Sequence, residues 1–335
     1  MGNIYDPIDL SGLLQIPIKL RLNQEDLKIP IELLPKQYID GTIRTTGSTR
    51  CKLIYGRIQN RGGYGSICLA ERVVADRSHR VCVKVPHKSS FTLFPEAIIQ
   101  WHASRMLEAA GIIDAIPPVY DIFQYAGETR FSMKFMEGMS CIDFIQASSS
   151  PARTLLEVLA QVSLLLAYLE TTIYLDHRDM NAANIWVRPV EINYHLVVKG
   201  KRYSVSAPFQ VVILDFGFSC LGSEETGNAV ISLSDGILPR IDPCPKEGRD
   251  LFQLISSIWS FPHIRYLMDE STQKMIETLL SYRNRPYASL VKETTETRWV
   301  YLLVSDSAFR HPPLHPLSLL DLFRLKYGTI CTISE

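Results

Sequence analysis

Short apolar runs separated by turn residues dominate the first part of the chain, and longer helical patterns dominate the rest. Runs rich in Val, Ile, Leu and Cys between turn residues predict strands, here at 52–58, 66–74, 80–85, 119–123 and 129–136. Apolar residues at helical spacing predict helices, here at 96–110, 151–170, 250–259, 273–282 and 317–325. The pattern therefore predicts an α+β, bilobal fold, with a small β-rich lobe holding one main helix and a larger α-rich lobe.

Two segments stand apart from this plan. Residues 1–50 contain four prolines, which interrupt any long helix, so we expect an irregular N-terminal extension there. Strand-like residues at 192–198 and 202–205 flank a Lys-Gly-Lys turn and predict an added β-hairpin. The expected domain organisation is an extension at 1–50, an N-lobe with a hinge at 51–136 and a C-lobe at 137–335.

Composition narrows the class of protein. The 335 residues are 46% hydrophobic, which is ample for a packed core, and 35 basic residues balance 35 acidic ones. A zero net charge argues against a protein that mainly binds nucleic-acid phosphates, so no direct nucleic-acid partner is expected. The most apolar stretch, 155–169, contains Glu157 and Gln161 and is too short to span a bilayer. It predicts a buried helix and no membrane span.

The cysteines suggest the compartment. There are seven, an odd number, and no two form a C-x-x-C pair, which excludes a zinc ribbon of that type. The N-terminus lacks the basic-then-apolar pattern of a secretory signal. We therefore expect free thiols in a soluble intracellular protein.

A glycine-rich segment lies between two predicted strands, with the sequence N-R-G-G-Y-G-S-I from Asn60 to Ile67. Glycines let backbone amides approach phosphate oxygens, although this pattern is also typical of a hairpin turn. Lys84 follows in the apolar strand V-C-V-K. A cation buried there needs an anionic partner; the alternative is an edge-strand lysine that faces water.

Two further motifs follow in order. H-R-D-M-N-A-A-N occupies 177–184, after the long predicted helix, and the apolar strand at 211–214 ends in D-F-G at 215–217. Together with the glycine-rich segment and the strand lysine they form a specific set. Over about residues 51–330 the sequence resembles the eukaryotic-type protein-kinase superfamily.

The resemblance implies roles for individual residues. Asp179 would accept or orient the proton of the substrate hydroxyl, Lys84 would hold the α- and β-phosphates of ATP, and Asn184 and Asp215 would bind Mg²⁺, or Mn²⁺ in its place. Glu96, early in the first predicted helix, is the expected partner of Lys84, with Glu108 as the alternative. Further nucleotide contacts implied by the resemblance are Ile58, Asn60, Gly62, Gly63, Tyr64, Gly65, Ile67, Met133, Lys134 and Met136.

The chain also departs from the superfamily pattern. Asn181 stands where most Ser/Thr kinases have lysine, and no A-P-E follows D-F-G. The hairpin insert is similar to haspin-like kinases, and the L-H-P-L-S-L-L run at 314–320 resembles virion kinases of poxviruses and other large DNA viruses.

The resemblance implies transfer of the γ-phosphoryl group of ATP to Ser or Thr of a protein substrate, in the host cytoplasm or the virion. An ATP-binding pseudokinase scaffold and a small-molecule kinase of related fold are the alternatives.

Overall fold

The computed structural model describes residues 34–45, 48–61, 65–75, 77–87, 93–222, 229–232, 244–246, 248–281 and 314–334. The chain divides into two compact units. The first comprises residues 1–105 and 116–136, and the second comprises residues 106–115 and 137–335. The domain boundaries expected from the sequence stay predictions.

Seven strands of the first unit form a closed barrel, in the order β1-β2-β3-β4-β5-β7-β6. Their bounds are β1 Lys36–Gln37, β2 Thr42–Thr45, β3 Ser48–Arg61, β4 Gly65–Val74, β5 Arg77–Pro86, β6 Val119–Tyr125 and β7 Glu128–Lys134. Helix α1 (Phe94–Ala109) follows β5 in the chain. The strands predicted between residues 52 and 136 are confirmed as β3 to β7.

Residues that precede position 50 close this barrel. β1 pairs antiparallel with β2 and parallel with β6, where Lys36 lies opposite Gln124. The amide of Gln124 donates to the carbonyl oxygen of Pro35 at 2.8 Å. The predicted α+β, bilobal kinase-like fold, with a small β-rich lobe and one main helix, is therefore wrong. The fold is mixed α/β with a closed seven-stranded barrel in its N-terminal part. A strand of two residues is too short to show an alternating pattern. The closure of the barrel by β1 could therefore not be predicted from the sequence.

The interior of the barrel combines an apolar core with a buried ion pair. The core consists of Ile43, Cys51, Leu53, Ala70, Val81, Val83, Tyr120 and Phe123. Nε of Arg72 lies 2.7 Å from Oδ2 of Asp121, and the hydroxyl of Ser132 donates to the same oxygen at 2.8 Å. Burial alone would raise the pKa of Asp121, but the bonds from Arg72 and Ser132 outweigh it and lower that pKa. The ionised carboxylate thus ties β4, β6 and β7 together.

Among its described residues, the second unit contains three three-stranded sheets, ordered β13-β10-β8, β11-β12-β16 and β15-β14-β9. Its strands are β8 Met139–Ser140, β9 Leu175–Asp176, β10 Ile185–Arg188, β11 Ile192–Val198, β12 Lys201–Ala207, β13 Gln210–Ile213, β14 Cys220–Gly222, β15 Ala229–Ser232 and β16 Cys331–Ser334. Its helices are α2 Cys141–Ala147, α3 Pro151–Ile173, α4 Arg249–Trp259, α5 Pro262–Tyr266, α6 Glu270–Leu279, α7 Pro316–Lys326 and a 3₁₀ helix at Ala182–Asn184. The predicted hairpin is confirmed as β11–β12.

Helix α3 is the buried core helix of this unit. It has 23 residues, with Pro151 in its first turn, and it contacts strands of all three sheets. In the described part of the chain it alone is long and apolar enough to cross a membrane, and 83% of its most apolar window is buried inside the protein. The prediction of a buried helix is confirmed.

Cys220 and Cys244 form a disulfide, and the free cysteines of the described residues are Cys51, Cys68, Cys82, Cys141 and Cys331. The expectation of free thiols is therefore wrong for this pair. A Cβ at Gly222 would overlap the carbonyl oxygen of Cys244, so glycine allows the two segments to approach closely beside the disulfide.

Candidate active site

Lys84 forms a buried ion pair within the first unit. Its Nζ lies 2.5 Å from Oε1 of Glu96, which is in the first turn of α1, and the two residues are 6% and 1% exposed. Glu108 lies twelve residues further along the same helix, about 18 Å away along its axis. Glu96 rather than Glu108 is therefore the partner, and Lys84 does not face water at a sheet edge.

Gly65 leaves room beside this lysine. A Cβ at Gly65 would lie 2.8 Å from the carbonyl oxygen of Val85 and 3.6 Å from Cε of Lys84. Contacts below about 3 Å are too short for a real Cβ, so a larger residue would shift β4 or β5. The close approach of the two strands at Lys84 therefore requires glycine at this position.

The other predicted nucleotide contacts lie on strands β3, β4 and β7 or just beyond them. Ile67 is paired with Lys84, and Ile58 is about half exposed. The amide of Lys134 donates to Pro118 at 2.9 Å, so it is engaged within the unit. The remaining placements are Asn60 opposite Ile67, Met133 accepting a bond from Gln100 at its sulfur, and Met136 buried after β7. Gly62, Gly63 and Tyr64 lie outside the described residues.

In the second unit, the loop at 177–184 holds Asp179 between two amide side chains. Nδ2 of Asn181 donates to Oδ1 of Asp179 at 3.0 Å, and Nδ2 of Asn184 donates to Oδ2 at 3.2 Å. Nδ2 of Asn184 also donates to the backbone carbonyl of Asp179 at 2.8 Å. Because nitrogen makes both contacts of Asn184, the side-chain oxygen is the atom that can bind a cation.

Asp250, in the first turn of α4, binds the backbone at the start of this loop. Its Oδ2 accepts the amide of His177 at 2.7 Å, and its Oδ1 accepts the amide of Arg178 at 2.8 Å. Arg178 has a φ of 64°, in the left-handed region that is costly for a residue with a Cβ. The two hydrogen bonds stabilise this strained backbone next to Asp179.

Two more side chains of α4 continue this contact. Oε1 of Gln253 accepts the amide of Met180 at 2.9 Å, and the hydroxyl of Ser257 accepts the amide of Ala182 at 3.0 Å. Asp250, Gln253 and Ser257 are spaced i, i+3 and i+7, so they share one face of the helix. No motif in the sequence assigns these residues a role; the signal that could have found them is the spacing of polar residues on one face of a helix whose other positions are mostly apolar.

The D-F-G segment lies against the same loop. The amide of Leu214 donates to the carbonyl of Asn184 at 2.9 Å. Nε2 of His177 lies 3.0 Å from the carbonyl oxygen of Leu214, so it must carry the proton that it donates. The buried ring of Phe216 lies 4.9 Å from the His177 ring, centroid to centroid. These contacts join the two motifs within one unit.

Burial sets the protonation of the central groups. It raises the pKa of Asp179, helped by the nearby charge of Asp215, while His177 and the two amides oppose the rise. Burial lowers the pKa of His177, which favours the neutral imidazole. For Asp250, burial and then the charge of Asp176 raise the pKa, and the bound amides oppose this rise.

Asn184 and Asp215 offer oxygen ligands within the second unit. Asp215 is exposed, has a φ of 59°, and accepts the amide of Gly217 at Oδ1 at 3.2 Å. Mg²⁺ prefers oxygen ligands and is usually bound by one or two carboxylates together with waters and substrate phosphates. One amide oxygen and one exposed carboxylate fit this mode of binding.

The segment after D-F-G contacts Asp176, the residue directly before the loop at 177–184. β14 pairs with β9, with Cys220 opposite Asp176, and the amide of Lys246 donates to Oδ2 of Asp176 at 3.0 Å. The fully buried Arg249 lies 3.3 Å from the same oxygen. The disulfide therefore joins two segments that both contact Asp176. Cys220 is paired with Asp176 itself, and Cys244 lies two residues before Lys246.

No protein-family model matches the chain. Among curated proteins, it is similar to "Probable kinase 098L" of Invertebrate iridescent virus 3, with 27% identity over 97 residues. The match covers 29% of this chain and 19% of that protein, so it spans about a fifth of the relative's length. This partial similarity, together with the geometry of the two motifs, suggests a kinase-like relationship to a viral protein.

Proposed function

We propose that this protein is a kinase that uses ATP and Mg²⁺ to phosphorylate Ser or Thr hydroxyls of a protein substrate. The observation that carries the proposal is the loop at 177–184, where two amides orient the carboxylate of Asp179 and Asp250 binds the backbone below it. The Lys84–Glu96 ion pair and the similarity to a viral probable kinase support it.

Asp179 accepts the hydrogen bond of the substrate hydroxyl and takes its proton as the oxygen bonds to the γ-phosphorus of ATP and the bond from that phosphorus to the ADP oxygen breaks. The raised pKa makes its carboxylate a stronger base than an exposed aspartate. Asn181 and Asn184 fix the direction of both carboxylate oxygens, which supplies the positioning on which phosphoryl transfer mainly depends.

Lys84 binds phosphate oxygens, and Glu96 holds its ammonium group in place. The side-chain oxygens of Asn184 and Asp215 would hold Mg²⁺. Bound ATP supplies the phosphoryl group, and Mg²⁺ neutralises the phosphate charge. The protein thus contributes an ammonium group, a general base and two oxygen ligands for the metal ion. No covalent intermediate between the protein and the phosphoryl group is required.

The test is incubation with γ-labelled ATP, Mg²⁺ and a generic basic protein, followed by phosphoamino-acid analysis. We expect label on serine or threonine, and at least about a 100-fold lower rate for Asp179→Asn. Asp269→Asn is the matched control, because this residue caps α6 by accepting the amide of Thr272 and has no assigned role in transfer. Its rate should equal that of the wild type.

Other outcomes separate the alternatives. Saturable ATP binding without transfer to any acceptor would indicate a scaffold. Label on a small molecule from a metabolite panel, with none on protein, would indicate a small-molecule kinase. Equal labelling by the wild type and Asp179→Asn would refute the assigned base.

A further inference from the structure

Strand β11 is an open edge of the β11-β12-β16 sheet in the second unit. Among the described residues it pairs with β12 alone, and no bulge interrupts the ladder between them. Proteins normally protect a sheet edge with a short strand, a proline, a bulge or charged residues, because an open edge recruits other strands. β11 has seven residues, and none of them is proline, Asp, Glu, Lys or Arg. This edge is therefore suited to pair with a further strand.

The turn that follows β11 fixes which backbone groups the edge presents. Lys199 and Gly200 connect β11 to β12 with φ values of 49° and 78°, and positive φ at both positions is typical of a type I′ turn. The residues that flank such a turn, here Val198 and Lys201, form a hydrogen-bonded pair, and the direction of bonding then alternates along the strand. The amides and carbonyl oxygens that point away from β12 are therefore those of Asn193, His195 and Val197.

The side chains beside this edge leave it accessible. Asn193, His195 and Val197 are all exposed, Val197 by 62%. Oδ1 of Asn193 accepts the hydroxyl of Ser206 at 2.8 Å, and Nδ1 of His195 lies 2.7 Å from the hydroxyl oxygen of Ser204. Both contacts direct these side chains over β12 and away from the edge. The other face of β11 is buried and contacts helix α3, which holds the strand in place.

The edge is complementary to a second copy of itself. Antiparallel pairing centred on His195 places Asn193 opposite the partner's Val197, so every outward amide and carbonyl meets an outward group, with about six backbone hydrogen bonds in total. The same register places Glu191, directly before β11, beside the partner's Lys199, directly after it, and both residues are exposed. Opposite charges thus meet at both ends. A shift of the register by two residues loses one of the three hydrogen-bonded pairs and separates these charges.

We propose that two copies of this chain form a symmetric dimer in which their β11 strands pair antiparallel about His195. The pairing joins the two sheets into one, and it stops at two chains because each β11 contributes a single outer edge. One pair of edge strands buries little area, so we expect a dimer that dissociates on dilution in the micromolar range. No residue assigned to phosphoryl transfer takes part, so the inference goes beyond the proposed function.

The test is sedimentation velocity of the full chain at low ionic strength, from about 1 to about 200 μM. We expect the sedimentation coefficient to rise with concentration and to level off at the value of a dimer. Glu191→Lys and Lys199→Glu should each weaken dimerisation at least about fivefold, because like charges then meet at both ends. An equimolar mixture of these two variants should dimerise as the wild type does, since opposite charges meet again between the unlike chains.

Proline variants test the backbone pairing. His195→Pro removes the central outward amide and spares the ladder to β12, because proline is tolerated on an edge strand where its nitrogen faces solvent. It should weaken dimerisation at least about tenfold. Ile333→Pro is the matched control: Ile333 lies on β16, the other outer strand of the sheet, and its register with β12 also directs its amide outward. This variant should dimerise as the wild type does.

Recovery in the mixture does not depend on a comparison between well-folded and poorly folded variants, because a chain that misfolds cannot restore the dimer. Three results would overturn the proposal: a wild type that stays monomeric throughout the range, a mixture that dimerises no better than either charge variant alone, or equal dimerisation of His195→Pro and the wild type. The first would leave the edge of β11 to an extended segment of a different protein.

Discussion

Asp250 links the fold of the second unit to its chemistry, and Asp250→Ala tests that link. The substitution removes both acceptors of the His177 and Arg178 amides. Leaving two buried backbone amides without an acceptor costs about 2–6 kcal/mol in total. Part of this cost is recovered, because burial and then the charge of Asp176 raise the pKa of Asp250 to about 8 and so make the carboxyl group itself costly to hold at this position. We therefore expect the free energy of unfolding to fall by about 2–4 kcal/mol.

The effect on catalysis is separate from the effect on stability. Arg178 keeps its positive φ next to Asp179 while Asp250 binds its amide. Once released, this residue can relax to an ordinary backbone conformation and displace Asp179. A displacement of about 1 Å can lower a rate about 100-fold, so we expect a kcat loss of that order in the fraction that stays folded.

The assay is urea unfolding followed by fluorescence, together with kcat measured with labelled ATP well below the unfolding transition. Asp269→Ala is the control, since it also removes an aspartate that accepts a backbone amide at the start of a helix. It should cost about 1 kcal/mol in unfolding free energy and leave kcat unchanged. The reasoning fails if Asp250→Ala keeps the wild-type kcat, or if it loses no more stability than the control.

Three further predictions concern the ion pair, the proposed base and the disulfide region. Lys84→Met should lower the free energy of unfolding by about 3–5 kcal/mol, because it leaves Glu96 buried without its partner. Adding Glu96→Leu should restore part of this stability, measured by denaturant unfolding of the wild type and both variants. If the double variant recovers no stability, the ion pair is not what stabilises this site. Burial raises the pKa of Asp179 above the ordinary 3.8, and since the carboxylate is the active form, kcat/KM should fall with decreasing pH at a midpoint above that value. A profile without this acidic limb would exclude the assignment. Gly222→Ala places a Cβ against the carbonyl of Cys244. Overpacking of this kind destabilises a protein by about 1–3 kcal/mol, so the thermal unfolding midpoint should fall by several degrees. An unchanged midpoint would contradict the close approach of the two segments.

Local patterns predicted the elements that depend on neighbouring residues in the sequence. The alternation at 192–198 gave β11 with the correct bounds, because one face of that strand is buried and the other is exposed. The apolar spacing after Pro151 gave α3, which the structure extends to Ile173. Lys84 in an apolar strand correctly indicated an anionic partner, since the cost of burying a charge alone is large.

Features that depend on residues far apart in the chain could not be predicted in this way. Closure of the barrel depends on the pairing of Lys36 with Gln124, and neither residue carries a local signal for it. The role of Asp250 depends on amides of a loop more than seventy residues earlier, and a helix N-terminus explains an aspartate equally well. The disulfide partner of Cys220 could not be chosen from seven cysteines by spacing alone.

The way the barrel closes determines where the chain can be shortened. Cutting after residue 50 would remove β1 and β2, which lie in the segment that the sequence predicts to be an irregular extension. Cys51 and Lys52 of β3 and Gln124 of β6 would then lose their backbone partners, and exposed strand edges recruit strands from other molecules. A chain that starts at residue 51 should therefore aggregate during expression, although every motif residue is present. A chain cut before Leu34 keeps the closing strands and with them a barrel that has no edge.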